Sequence, residues 1–127
     1  MAGNLSDYLE NKLLDHFLGT TTYTKPTTVY VALYTAAPND AGGGTEVTGG
    51  SYARQTATFS AASSGATENS ANIDFTNMPA CTVVAIGVHD ALTSGNLLVH
   101  GTLTANKSLD AGDTLRIATG DLDISIN

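Results

Sequence analysis

Residues Val29 to Arg54 read VYVALYTAAPNDAGGGTEVTGGSYAR. Val29, Val31 and Leu33 alternate with Tyr30, Ala32 and Tyr34, the period-2 signature of a strand with two distinguishable faces. The next fifteen residues hold five glycines and Pro38, so no regular element persists through them. A second strand then opens at Ser51-Tyr52-Ala53-Arg54. A loop of this length, residues 36–50, is entropically costly to order and uncommon in a small domain, which marks it as a contact or binding segment.

Working outward, the signals remain β. Thr20 to Lys25 has high β propensity and stops at Pro26, so it reads as an edge strand or an extended linker. Tyr52–Ser60 forms the far arm of the long loop, with burial that its mixed faces do not decide. Ala61 to Ser70 is small and polar, a second long loop. Ala71–Thr76 is a short strand built on Ile73 and Phe75. Thr82–Ala91 is a nearly continuous apolar run, which a strand covered on both faces tolerates. It is the expected central strand. Gly95 tips a turn leading to Leu97–Thr104, and the two strands read as a hairpin. Asp110–Asp113 is another turn, followed by strands at Thr114–Thr119 and Asp121–Asn127. In the last, Leu122, Ile124 and Ile126 alternate with Asp121, Asp123 and Ser125, a one-face-buried pattern. Seven or eight short strands with frequent turns predict an antiparallel β-sandwich, jelly-roll-like in first reading and immunoglobulin-like in second.

One helix precedes them. Leu5, Leu9, Leu13, Leu14, Phe17 and Leu18 recur at helical spacing and form one apolar face. Asn4 is the expected N-cap and Gly19 the C′ residue, giving a helix over 4–19. Two uses are open to it: closing an end or face of the sandwich, which is favoured, or docking on a neighbouring subunit. The expected organisation is therefore one domain over 1–127, with the helix at 4–19 and the sandwich over 20–127.

Composition narrows the function. Twelve acidic against five basic residues give a net charge of −7, and Lys12, Lys25, Arg54, Lys107 and Arg116 are scattered singly, so no basic patch offers itself to nucleic acid. Charged residues are only 13% of the chain, about half of the usual ~25%; Thr, Ser, Ala and Gly fill the gap. Such short side chains lose little entropy when a neighbour packs on them, which suits a surface meant to be covered, although Thr and Ser are also ordinary strand and turn residues. Cys81 is the only cysteine, so no intrachain disulfide forms, and it reads as a buried thiol. No run approaches the ~20 apolar residues of a membrane span. The N-terminus lacks the basic and apolar regions of a signal peptide, so synthesis in a host cytoplasm is expected.

No chemistry stands out. His89 and His100 sit on the two arms of the expected hairpin with Asp90 adjacent, but no pair has metal-ligand spacing. Asp110/Asp113 and Asp121/Asp123 lack the dense oxygen run of a calcium loop, and aspartate favours turns for its own hydrogen bonds. The Asn39–Gly44 loop lacks the Gly-Lys-Ser/Thr of a phosphate cradle and runs into a strand. No nucleophile elbow is present, and no carboxylate pair nominates a glycan-cleaving jelly roll. No catalytic residue, metal ligand or cofactor is expected.

The pattern from Val29 to Gln55, followed by Gly87-Val88-His89-Asp90-Ala91-Leu92-Thr93-Ser94-Gly95-Asn96-Leu97-Leu98-Val99-His100-Gly101 and by Lys107 to Ala111-Gly112-Asp113, resembles a family of small structural proteins of tailed bacteriophages. Its members are described as head-decoration (cement) or tail-fibre-like proteins. The resemblance spans roughly Leu5 to the C-terminus and implies a non-enzymatic virion protein on the capsid surface. Its implied partners are the major capsid protein and copies of itself, as a dimer or trimer, with no nucleic acid and no membrane. In that role it would cement the shell by bridging neighbouring capsomers. The alternative is a tail-fibre or tail-tip component with a receptor-binding role; the absence of Trp and the five Tyr lower it. In the cementing role the parts that reach a neighbour are the helix and the long loop. The expected contact residues are Leu5, Leu9, Phe17, Pro38, Asn39, Asp40, Glu46, Tyr52 and Arg54.

Overall fold

A computed structural model describes residues 2–126. In chain order the elements are β1 (Ala2–Leu5), α1 (Asp7–Phe17), β2 (Val29–Ala36), β3 (Thr45–Glu46), β4 (Gln55–Ala57), β5 (Ala66–Glu68), β6 (Ile73–Phe75), β7 (Cys81–His89), β8 (Leu97–Leu109), β9 (Leu115–Ile117) and β10 (Asp123–Ser125). The fold is mainly β, a sandwich of mostly antiparallel strands with one helix.

Its layers are uneven. One eight-stranded sheet runs β3-β2-β7-β8-β1-β10-β5, with β4 also on β2, and a two-stranded ladder pairs β6 with β9. The β2–β7 pair and the β7–β8 hairpin form the centre, the first in register from Tyr30↔His89 to Tyr34↔Ala85 and the second running from Cys81↔Leu109 to His89↔Leu97 with register shifts at Val83/Ala85 and Val88/His89. The core fills the space between the large sheet and the small ladder. Val31 and Leu33 from β2, Ile86 and Val88 from β7, Phe75 from β6 and Leu115 and Ile117 from β9 form one apolar cluster with Met78 and Leu122. Each such side chain contributes roughly 1.5–3 kcal/mol by leaving water. Ala32, Tyr34 and Ala85 form a smaller cluster with Val84 on the opposite face of the sheet. From Ala85 to His89 every residue is buried, as the apolar run predicts for a central strand.

Several boundaries differ from those expected. The helix occupies Asp7–Phe17 instead of 4–19, and its N-cap is Ser6, not Asn4. Asn4 belongs to β1, which pairs antiparallel with β8 at Asn4↔His100 and parallel with β10 at Gly3↔Ile124. Ser6 makes the cap and the docking at once: its hydroxyl accepts from the Leu9 amide (3.2 Å) and donates to the Leu97 carbonyl (2.5 Å), while its amide donates to the Leu98 carbonyl (2.8 Å).

Thr20 to Lys25 forms no strand; threonine's preference for a pleated surface is only realised beside a partner strand, and here the Tyr23 amide bonds the His16 ring instead (3.1 Å). The second polar loop does contain a strand, β5, because β10 supplies an edge for it at Asp123↔Glu68 to Ser125↔Ala66. The last strand is shortened to Asp123–Ser125, and its far end at Asn127 lies outside the described residues. Leu122 is fully buried, Ile124 half-buried and Ile126 58% exposed, so the one-face pattern fades where the sheet ends.

Candidate interaction surface

The 36–50 loop closes on itself. Asn39 and Gly42 exchange both backbone hydrogen bonds (2.8 and 2.9 Å), and the Asn39 side chain accepts from the Ala41 amide (2.9 Å). Gly44 has φ +74°, and a Cβ there would lie 2.7 Å from the Ala36 carbonyl oxygen and from the Pro38 nitrogen. Only glycine lets the chain cross itself so closely. The returning chain then adds β3 to β2 and sends β4 back along the same strand at Val29↔Ala57 to Val31↔Gln55.

Two clusters arise from this arrangement. The first is polar and faces inward. Arg54 grips Glu46 with two nitrogens (Nε–Oε2 3.0 Å, Nη2–Oε1 2.9 Å), and its Nη1 donates to the carbonyls of Ala91 (2.9 Å) and Ser94 (2.8 Å) in the β7–β8 turn. Tyr52 donates to Glu46 Oε2 (2.7 Å) and accepts from the Leu33 amide (3.0 Å), while its ring stacks on Phe75 at 6.2 Å. Beside them Tyr34 and His89 share a hydrogen bond of 2.7 Å. They fit because position 87 is glycine: a Cβ there would lie 2.8 Å from Leu97 Cδ1 and 2.9 Å from Tyr34 Cε1.

The electrostatics follow from this packing. Burial alone would raise the Glu46 carboxyl, but the hydrogen bonds from Arg54 and Tyr52 and the charge of Arg54 outweigh it and hold Glu46 below the ordinary range. The Tyr52 phenol is raised by burial and by its bond to Glu46. His89 is pushed down to about 4, first by burial and then by the charge of Arg54, and its Nδ1 is buried without a hydrogen-bond partner. This ring stays neutral at pH 7.

The second cluster is apolar and faces outward. No residue of α1 is buried. Leu9 and Tyr8 lean on the core from one side, whereas Leu14 is 57%, Phe17 72% and Leu18 83% exposed. Between α1, β1 and β10 lies an open groove of about 610 Å³ lined by Leu5, Leu13, Leu14, Phe17 and Ile126, with Asn4, Glu10, Asp40 and Ser125 as its polar members. Asp40 reaches this rim because its carbonyl accepts from the Asp7 amide (2.9 Å) and its carboxylate meets His100 Nε2 (2.7 Å).

The expected contact residues therefore fall into three groups. Leu5, Phe17 and Asp40 come together on the groove. Glu46, Tyr52 and Arg54 form the inward network, with the Arg54 side chain 8% exposed. Leu9 packs against the core, Pro38 is buried and Asn39 stays exposed in its turn. Leu13 and Leu14 were legible as part of the helical stripe. Glu10 and Ile126 join the groove without any sequence signal beyond their own elements.

The histidines on the hairpin do not converge on a metal: among the described residues no group of three or more His, Cys, Asp or Glu is placed to hold an ion. Cys81 is half-buried, and burial raises its thiol above the ordinary value. No helix among the described residues is long and apolar enough to cross a membrane.

The two halves of the recognised sequence pattern thus meet in space: Tyr34, Glu46, Tyr52 and Arg54 from the first close on Gly87, His89, Ala91 and Ser94 from the second. Compared with known families, residues 4–125 match the model described as podophage GP4 fiber I protein gp80. No curated protein matches the chain.

Proposed function

The chain belongs to the podophage GP4 fiber I protein family, a family of phage structural proteins, and from that premise we propose that it is a non-enzymatic subunit of a virion fibre that works by docking. The observation carrying this reading is α1. Ser6 caps the helix and pins it to β8, yet the helix buries no residue and turns Leu14, Phe17 and Leu18 to solvent. An exposed apolar face of this kind marks an interaction site. Glu46, Arg54 and Tyr52, whose proton affinities are shifted, are meanwhile committed to one another, which favours a structural role for them.

Capsid decoration is the competing placement. It assigns the long loop to reaching across capsomer seams. Here residues 39–42 fold back on themselves and Asp40 is tied to Asp7 and His100, which favours a compact fibre module over a reaching clamp.

Immunogold labelling of intact particles with antibody to this protein tests the placement. Gold confined to fibres is expected. Gold spread evenly over the head, with particles lacking the protein losing DNA on mild heating while adsorbing normally, would establish decoration and overturn the fibre reading.

A further inference from the structure

We infer that the groove between α1 and β10 receives an amphipathic, positively charged segment of another protein, and that a second copy of this chain is not its occupant. This deepens the docking reading above and rests on it, but its test uses the isolated protein and is independent of where the protein sits on the virion.

The groove offers five apolar side chains, Leu5, Leu13, Leu14, Phe17 and Ile126, and among the described residues its charged members are Glu10 and Asp40. Both are carboxylates. The one lysine of α1 is directed elsewhere: Lys12 Nζ lies 5.6 Å from the Tyr8 ring centroid, beside Asp15 and the 21–24 segment. The charge on the described rim is therefore carried by carboxylates, Glu10 and Asp40, the latter also meeting His100 Nε2 at 2.7 Å.

A two-fold contact between copies through this groove would enclose Glu10 and Asp40 of both molecules in one interface, since the same patch is used on both sides. The net charge of −7 adds repulsion, and like charges gathered in one interface are disfavoured. A segment with large apolar residues at helical spacing and Lys or Arg beside them satisfies both parts of the site. The apolar residues fill the floor, and the cations meet Glu10 and the exposed side of Asp40, whose other contact is His100. Because the carboxylates are exposed, their contribution weakens as salt rises.

The test uses the full chain and two synthetic helical peptides. Both carry the same Leu and Phe residues at i, i+3/i+4 and i+7. The flanking polar positions are all Lys in one and all Glu in the other. Binding is followed by fluorescence anisotropy and by methyl NMR shifts. The Lys peptide is expected to bind at least about tenfold tighter than the Glu peptide at low salt, with shifts centred on Leu13, Leu14 and Ile126.

Glu10→Lys should shrink or invert that preference. Thr104→Lys with Asn106→Lys, which changes the net charge equally at the distal end of β8, should leave it within about twofold. Leu14→Ser with Phe17→Ser should abolish binding of both peptides while the protein keeps its circular dichroism spectrum. Equal affinity for the two peptides, no binding of the Lys peptide, or equal loss from the distal lysines would overturn the inference. So would a dimer in sedimentation equilibrium that Phe17→Ser dissociates, since a second copy would then be the occupant.

Discussion

Arg54 and Phe17 have exchanged the places that their side chains usually take. The Arg54 side chain is 8% exposed, while Phe17 is 72% exposed. The same long loop serves both regions. Its second half supplies Glu46 to the inward network, and its first half supplies Asp40 to the rim of the outward groove. The difference separates two tasks. Inside, charges are tolerated because each is matched by a partner of fixed geometry, so they hold the loop, β2 and the β7–β8 turn in one arrangement. Outside, Leu14, Phe17 and Leu18 keep most of their surface in water, so they are available to something else. Stability should therefore respond to the polar region, and docking to the apolar one.

The largest effect is expected from Arg54→Ala. It leaves the Glu46 carboxylate partly buried without its cation and removes the donor shared by the Ala91 and Ser94 carbonyls. Breaking a buried pair from one side typically costs about 3 kcal/mol, which for a chain of this length lowers the melting temperature on the order of 10 °C. Calorimetry reads it. A loss below about 1 kcal/mol would mean that the network behaves as an ordinary surface ion pair.

Next comes the pH dependence contributed by His89. Its folded value, about 4, lies below the ordinary ~6.5 of an unfolded histidine. Between these values the unfolded chain binds the proton and the folded chain does not, so stability rises with pH across the window. The contribution is complete above pH ~6.5, falls as the solution is acidified, and is gone below about pH 4. Two and a half units correspond to at most about 3 kcal/mol. Glu46, lowered by Arg54 and Tyr52 against its burial, adds loss in the same direction at the acid end. Urea titrations of the wild type and of His89→Gln at pH 7 and pH 5 separate the two. The wild type should lose stability over that interval and the variant should lose much less.

How much of this was legible varied with the kind of signal. β7 could be read because nine residues of Cys81–His89 carry a run that only a strand covered on both faces explains. β2 could be read because Val31 and Leu33 alternate with Ala32 and Tyr34. β1 could not: Ala-Gly-Asn-Leu has neither length nor alternation, and it is a strand only because β8 and β10 leave a gap that it fills. β5 likewise exists through its partner. The helix was readable from its stripe, but its start was not, since Ser6 and Asn4 are equally good caps locally and the choice is made by the Leu97 and Leu98 carbonyls more than ninety residues away. For the site, the loop was recognised as a unit. That Arg54 turns inward depends on where β3 and β4 lie along β2, and that Phe17 turns outward on how Ser6 seats α1 on β8; no local pattern encodes either.

A smaller effect is expected from Gly87→Ala, which probes the boundary of the inward region. The added methyl would meet Leu97 Cδ1 at 2.8 Å and Tyr34 Cε1 at 2.9 Å, so Tyr34 or Leu97 must move. Overpacking of this kind costs typically 1–3 kcal/mol. It should also loosen the Tyr34–His89 contact and raise the His89 value towards that of a solvated ring, which NMR titration of the imidazole protons detects. An unchanged His89 titration would mean that the ring is held neutral without help from its close packing beside Gly87.

The smallest effect on stability, and the one that bears hardest on the comparison, is expected from Leu14→Ser with Phe17→Ser. Replacing an apolar side chain in a core costs several kcal/mol because contacts and burial are both lost. Both losses are small for side chains that already keep most of their surface in water. What remains is the lower helix propensity of serine, a few tenths of a kcal/mol for each position, and the double variant should stay within about 1 kcal/mol of the wild type in chemical denaturation. The same two substitutions should remove docking entirely. A destabilisation above about 2 kcal/mol would show that α1 packs against its own sheet more than its exposure indicates. The helix would then be a closing element of the sandwich, and the separation between an inward region that holds the fold and an outward region that meets a partner would fail at its outward half.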